Sequence, residues 1–140
     1  AHRGVGTKAV VWAHNSHVGD ASATAMGWRG EFNIGQLCRI AYGDDAVSIG
    51  FGTDKGTVAA ASDWGEDMQI KTVRPARPDS YEYAFRLTGF ARSLTDWRGR
   101  DREDLADQFD AYVWFETTKA VTALGHEKPH GAPETYPFGL

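Results

Sequence analysis

The run Val10-Val11-Trp12-Ala13-His14-Asn15-Ser16-His17-Val18-Gly19-Asp20 constrains this chain more than any other stretch. Residues 9–13 are apolar and unbroken, the pattern of a strand buried on both faces of a parallel sheet. The run then turns abruptly polar. In open α/β sheets ligands bind outside the carboxyl ends of the strands, and that is where this pattern places His14, His17, Asn15 and Asp20. Histidine exchanges a proton near neutral pH and ligates metals when neutral, so any chemistry is expected to start here.

The following residues predict alternation of helices and strands. A helical turn is expected near 21–25. Asn33 is a good N-cap for a helix through Tyr42, with Ile34, Leu37, Cys38 and Ala41 on one face and Gly43 placed to close its carboxyl end. Residues 46–51 read as the next strand, which would make the helix a crossover between two parallel strands. Gly52, Gly56 and Gly65 then read as punctuation in a polar loop, and residues 68–73 as a short strand. Asp79-Ser80-Tyr81-Glu82 has capping-box spacing and opens a helix ending near Gly89. Residues 97–107 read as a charged, solvated run, and residues 109–115 as the last strand, rich in aromatic and β-branched side chains. From Gly125 the prolines predict an irregular tail. The expected fold is one α/β domain over 1–140 with a mainly parallel sheet and crossover helices.

Each candidate residue has more than one reading. His14 and His17 suit proton transfer or polarisation of a substrate oxygen, a structural role, or metal ligation. A zinc site wants three or four protein ligands, and two imidazoles plus Asp20 fall short, so no metal or other cofactor is expected. Asp20 either orients an imidazole or caps a helix. Asn15 either donates to a developing oxyanion or satisfies turn backbone. Ser16 lacks the Gly-x-Ser-x-Gly elbow of a serine nucleophile, and Lys55-Gly56-Thr57 has the wrong spacing for a phosphate loop.

Composition removes several function classes. A net charge of −4 gives no basic field for nucleic acid. No apolar stretch reaches the roughly 20 residues that span a bilayer, so no membrane partner is expected. A single cysteine, Cys38, fits a reducing, cytoplasmic compartment. The start, Ala1-His2-Arg3-Gly4, carries neither an apolar signal region nor an initiator Met, as expected of a piece of a longer protein.

The run from Val10 to Asp20 resembles the second histidine motif of the erythromycin esterase family, in which a strand enters Trp-Ala-His-Asn-x-His-x-Gly-Asp. The resemblance continues through Asn33-Ile34-Gly35-Gln36-Leu37, Tyr42-Gly43, Ser48-Ile49-Gly50-Phe51-Gly52 and Gly56-Thr57-Val58. It returns at Phe109-Asp110-Ala111-Tyr112-Val113-Trp114-Phe115 and in the tail. It implies an α/β hydrolase whose characterised relatives open the lactone ester of macrolide antibiotics with histidine-activated water, without a covalent serine intermediate. It places His14 and His17 at the family's second pair of active-site histidines. The family's amino-terminal half holds a Glu and a His, the latter the presumed base, and nothing here matches that half. The family also has a further strand and helix before the Phe109 strand, for which residues 98–108 are too few.

The expectation is therefore the carboxyl-terminal part of an esterase-like domain, inactive alone. Its partners would be a small-molecule ester or lactone and either the missing half or a second copy. The rival from another class is a non-catalytic small-molecule-binding or interaction module that keeps the fold without the base.

Overall fold

Twelve consecutive residues, Ile49–Ala60, form the longest strand, β1. The computed structural model describes residues 4, 6–63, 66–101 and 103–122. β2 (Gln69–Val73), β3 (Arg92–Asp96) and β4 (Ala111–Thr118) complete a four-stranded sheet in the order β2-β1-β4-β3. Among the described strands β1 and β4 run parallel, while β2 pairs with β1 and β3 with β4 in antiparallel fashion. The sheet is thus α/β but mixed, and the expectation of a mainly parallel sheet is corrected among the described residues. The reason is that residues 52–60 are strand rather than loop, so β1 runs on far enough for β2 to fold back against it as a hairpin.

The glycines that look like loop punctuation serve packing. Gly50 and Gly52 pair with Tyr112 and Trp114 across the β1–β4 ladder. A Cβ on Gly50 would run into the Tyr112 ring, and one on Gly52 into its hydroxyl. Small residues on β1 therefore make room for large rings on β4. Gly56 is held at φ +117, with the Thr118 backbone where a side chain would go, a conformation open to glycine at little cost.

That face of the sheet is the covered one. Trp114 and Tyr112 are buried and stack on Phe85. Phe85 comes from α4 (Tyr81–Leu87), which Ser80 caps by accepting the Tyr83 N–H. Leu105 and Phe109 join the same cluster. Leu105 lies on the short α5 (Leu105–Gln108), within the stretch expected to be wholly solvated. The other face carries Ile49, Phe51, Leu94 and Phe115, which stay between 39% and 68% exposed.

The amino-terminal elements are short: α1 (Asn15–Val18), a 3-10 turn over Ala21–Ala23 and α2 (Ala25–Trp28). They lead to α3 (Ile34–Tyr42), with Asn33 and Gly43 at its ends as expected. The strand expected over 9–13 is not formed among the described residues. Val10 and Trp12 are 89% and 87% exposed, and a strand needs a ladder partner to satisfy its backbone. β2 covers β1 only from Gly56 onward, so among the described residues the edge of β1 away from β4 has no strand partner over residues 49–55. The expected irregular tail, with Trp64, Gly65 and the first three residues, lies outside the described residues. No described helix is long and apolar enough to cross a membrane.

Candidate active site

The polar turn after Ala13 is held from several sides. His14 is the N-cap of α1, its Nδ1 accepting the Ser16 N–H at 3.2 Å. The Asn15 side chain meets β1 at its open edge: Nδ2 donates to the Phe51 carbonyl at 2.6 Å, and Oδ1 accepts the Phe51 N–H at 3.1 Å. One residue of a strand sends both backbone groups to the same edge, so the amide imitates a single residue of a partner strand. At the other end of α1, the orphan carbonyls that every helix leaves find side-chain donors. Asn33 Nδ2 donates to the Ser16 and Gly19 carbonyls, at 2.7 and 2.8 Å, and Ser48 Oγ to that of Val18 at 2.6 Å.

Close approach completes the mount. A Cβ on Gly35 would meet the Val18 and Gly19 carbonyls, and one on Gly19 would meet the Phe109 ring. The motif Asn33-Ile34-Gly35 is thereby explained: Asn33 both caps α3 and ties it to the histidine turn, while Gly35 lets the two backbones touch. Asp20 caps the 3-10 turn, accepting from Ser22 N at 2.9 Å and from Ser22 Oγ. Of its two readings, the cap is the one these bonds represent.

Asn15 likewise satisfies backbone, and the partner is a strand rather than its own turn. Asn15→Asp should therefore destabilise the chain by about 0.5–1.5 kcal/mol, the net worth of an ordinary hydrogen bond, because its second oxygen would face the Phe51 carbonyl. Thermal unfolding of this variant beside Asn15→Ala checks it; a wild-type midpoint for Asn15→Asp would show that the clamp carries no weight.

Beside the turn lies a cleft of about 320 Å³. Asn15 and Ser16 line it together with Arg29 at the end of α2, Glu82 on α4, and Phe109 and Tyr112. His14 and His17 are exposed and are not among the residues lining that cleft. The His17 ring has no hydrogen-bond partner among the described residues. Tyr112 Oη donates to Glu82 Oε1 at 3.5 Å. Burial, and then the Glu82 charge, push the Tyr112 phenol well above its ordinary value, so it remains a protonated donor. Arg29 pairs with Glu31 at 2.9 Å, an exposed pair of little worth. Among the described residues no three His, Cys, Asp or Glu side chains come together as metal ligands.

Glu82 and Tyr112 were not legible as cleft residues. Glu82 sits in a helix start readable from Ser80, and Tyr112 in a readable strand. Their meeting depends on the β1–β4 register, which no local pattern encodes. Two buried carboxylates also escape sequence reading. Asp54 accepts from Ala76 N at 3.0 Å, and Asp110 binds Arg39 at 2.6 Å.

Comparison with known proteins gives one family and one fold. The family model described as erythromycin esterase matches residues 1–118. Two solved structures share the fold. One, described as a succinoglycan biosynthesis protein, superposes with a TM-score of 0.62 at 20% identity. The other, a protein from Bacillus cereus, gives 0.58 at 19%. Each match covers 78% of this chain and 33% of the other, so the chain spans about a third of the length of the solved structures it matches.

Proposed function

Because the chain belongs to the erythromycin esterase family, we propose that it carries the second histidine pair of an ester- or lactone-hydrolysing site. The supporting observation is the mounting of Asn15–Val18: side chains of Asn33, Ser48 and Asn15 fix a four-residue helix while the imidazoles of its cap, His14, and of His17 within it stay exposed. These contacts fix the position of a very short element relative to the sheet and α3. In the reaction, water oxygen bonds to the acyl carbon, a base takes the water proton, and the acyl carbon–oxygen bond breaks. His14 and His17 would polarise the carbonyl oxygen and protonate the leaving alkoxide. Macrolide lactones are one substrate class that this chemistry fits, and a cytoplasmic setting suits it.

Residues 1–140 are, in this reading, the carboxyl-terminal part of a larger esterase-like domain. The base comes from the half that this chain does not match. That half, or a second copy, would cover Ile49, Phe51, Leu94 and Phe115 and fill the open edge of β1, which a free sheet leaves as a liability. The rival reading, a binding module without catalysis, draws on one observation. Asp20 and Glu82 bond Ser22 and Tyr112, so neither carboxylate orients an imidazole.

The test joins the chain to the amino-terminal half of the family domain and measures hydrolysis of aryl esters and macrolides, with ligand binding in parallel. General-base catalysis is worth about 10²–10⁴-fold, and the joined protein should exceed the chain alone by that order. His14→Ala should lower turnover and Arg100→Ala should not. Robust turnover by the chain alone would place a base within it. Binding without turnover in the joined protein would favour the module.

A further inference from the structure

We propose that Ser16 is the positioning residue for His14, holding Nδ1 as an acceptor so that the neutral ring presents Nε2–H to the carbonyl oxygen of an ester or lactone. The catalytic meaning of this assignment rests on the function proposed above; the nitrogen assignment does not. It starts from a contact with only one polarity. The Ser16 backbone N–H points at His14 Nδ1 across 3.2 Å, and a peptide nitrogen donates and cannot accept. Nδ1 therefore carries a lone pair rather than a proton. A neutral imidazole has one proton, and it must sit on Nε2. Ser16 Oγ, 3.0 Å from the same nitrogen, is then a second donor to it.

The ring cannot easily turn away from this arrangement. His14 occupies an N-cap position, with φ −63 and ψ 151, where Ser, Thr, Asp and Asn ordinarily supply the acceptor. Here the imidazole supplies it, so rotating the ring would give up the helix cap to solvent. The Ser16 peptide is itself anchored, since its carbonyl accepts from Asn33 Nδ2 at 2.7 Å. Asn15 ties the neighbouring residue to Phe51. Ring, hydroxyl and peptide form one local unit fixed to the sheet.

The consequence is a division of labour between the two histidines. With Nδ1 accepting from Ser16 and Nε2 protonated, the lone pair of neutral His14 is directed at the helix N–H rather than at a water. What it offers is a preoriented N–H, the group that stabilises charge developing on a carbonyl oxygen. His17 has no such lock among the described residues, and its ring remains available in either tautomer. The motif His-Asn-x-His would thus contain one fixed donor and one proton carrier.

The experiment uses the 140-residue chain with ¹⁵N-labelled histidine, observed by long-range ¹H–¹⁵N correlation at a pH where the rings are neutral. His14 should appear as a single Nε2–H tautomer with an acceptor-type Nδ1, and His17 as a mixture. Ser16→Ala should shift the His14 Nδ1 resonance, and Ser16→Thr should restore it. An Nδ1–H tautomer at His14, or a mixture matching His17 and unmoved by Ser16→Ala, would overturn the proposal. His14→Asn, whose short amide keeps a cap acceptor, should retain the thermal midpoint better than His14→Ala; equal losses would also overturn it. Absence of ester turnover in the joined protein, with the nitrogen pattern as expected, would keep the tautomer lock and remove its catalytic meaning.

Discussion

Asp110→Ala should destabilise this chain by about 3–5 kcal/mol, the usual loss when one partner of a buried ion pair is removed. Asp110 is 2% exposed, and its Oδ2 accepts from Arg39 Nη2 at 2.6 Å and from Ser48 N at 2.7 Å. The Arg39 side chain is 20% exposed, so removing the carboxylate strands a guanidinium that retains only carbonyl partners, Ala46 at 3.0 Å and Gly43 at 3.4 Å. The Ser48 N–H loses its acceptor as well. A domain of this kind is stable by only about 5–15 kcal/mol, so the variant should lose a large fraction of its stability. Equilibrium urea unfolding measures it. Asp110→Asn keeps an acceptor for Ser48 and should lose less, whereas a loss below about 1 kcal/mol for Asp110→Ala would mean that the pair is solvated.

The effect should also reach the histidine turn. Ser48 receives the carboxylate through its N–H and donates through Oγ to the Val18 carbonyl. Asp110 thus sits one residue away from the backbone that positions His14 and His17, while α3, tied to it through Arg39, carries Asn33 and Gly35 into the same turn. The contribution of Asp110 is invisible in the sequence, where it falls within the strand expected over 109–115.

Local signals are legible because their causes are local. Asn33 and Gly43 bound α3 as expected, and Ser80 opens α4 within the expected capping stretch, since caps depend on backbone groups two or three residues away. Gly52 and Gly56 look like loop in the sequence because their cause lies about 60 residues away, in Tyr112 and Thr118. The apolar stretch 9–13 has the pattern of a strand, but pattern supplies no ladder partner. In the site, the histidine motif stands out in the sequence as a dense polar cluster. The Asn15–Phe51 clamp and the Glu82–Tyr112 contact do not, because they are products of tertiary register.

Trp114→Ala should cost a comparable 3–5 kcal/mol, roughly the range for deleting a buried Trp or Phe side chain. Trp114 is fully buried, its ring 5.6 Å from that of Phe85, and its Nε1–H donates to the Phe90 carbonyl at 3.1 Å. The cavity has little prospect of collapse, because β1 offers only Gly52 opposite Trp114 and cannot fill it. Trp114→Phe keeps the stacking partner and strands only the Phe90 carbonyl, so it should lose about 1–3 kcal/mol. The core variant should also alter the cleft. Phe85 stacks on Tyr112 as well, at 5.2 Å, and α4 carries Glu82 to the Tyr112 hydroxyl. Losing Trp114 frees α4 to shift, so the cleft wall should loosen before the histidine turn, which hangs on α3, Ser48 and Phe51. Amide hydrogen exchange separates the two regions: faster exchange in α4 at unchanged protection of α1 and α3 is the expected result. Uniform acceleration would show that cleft wall and histidine turn unfold as one unit.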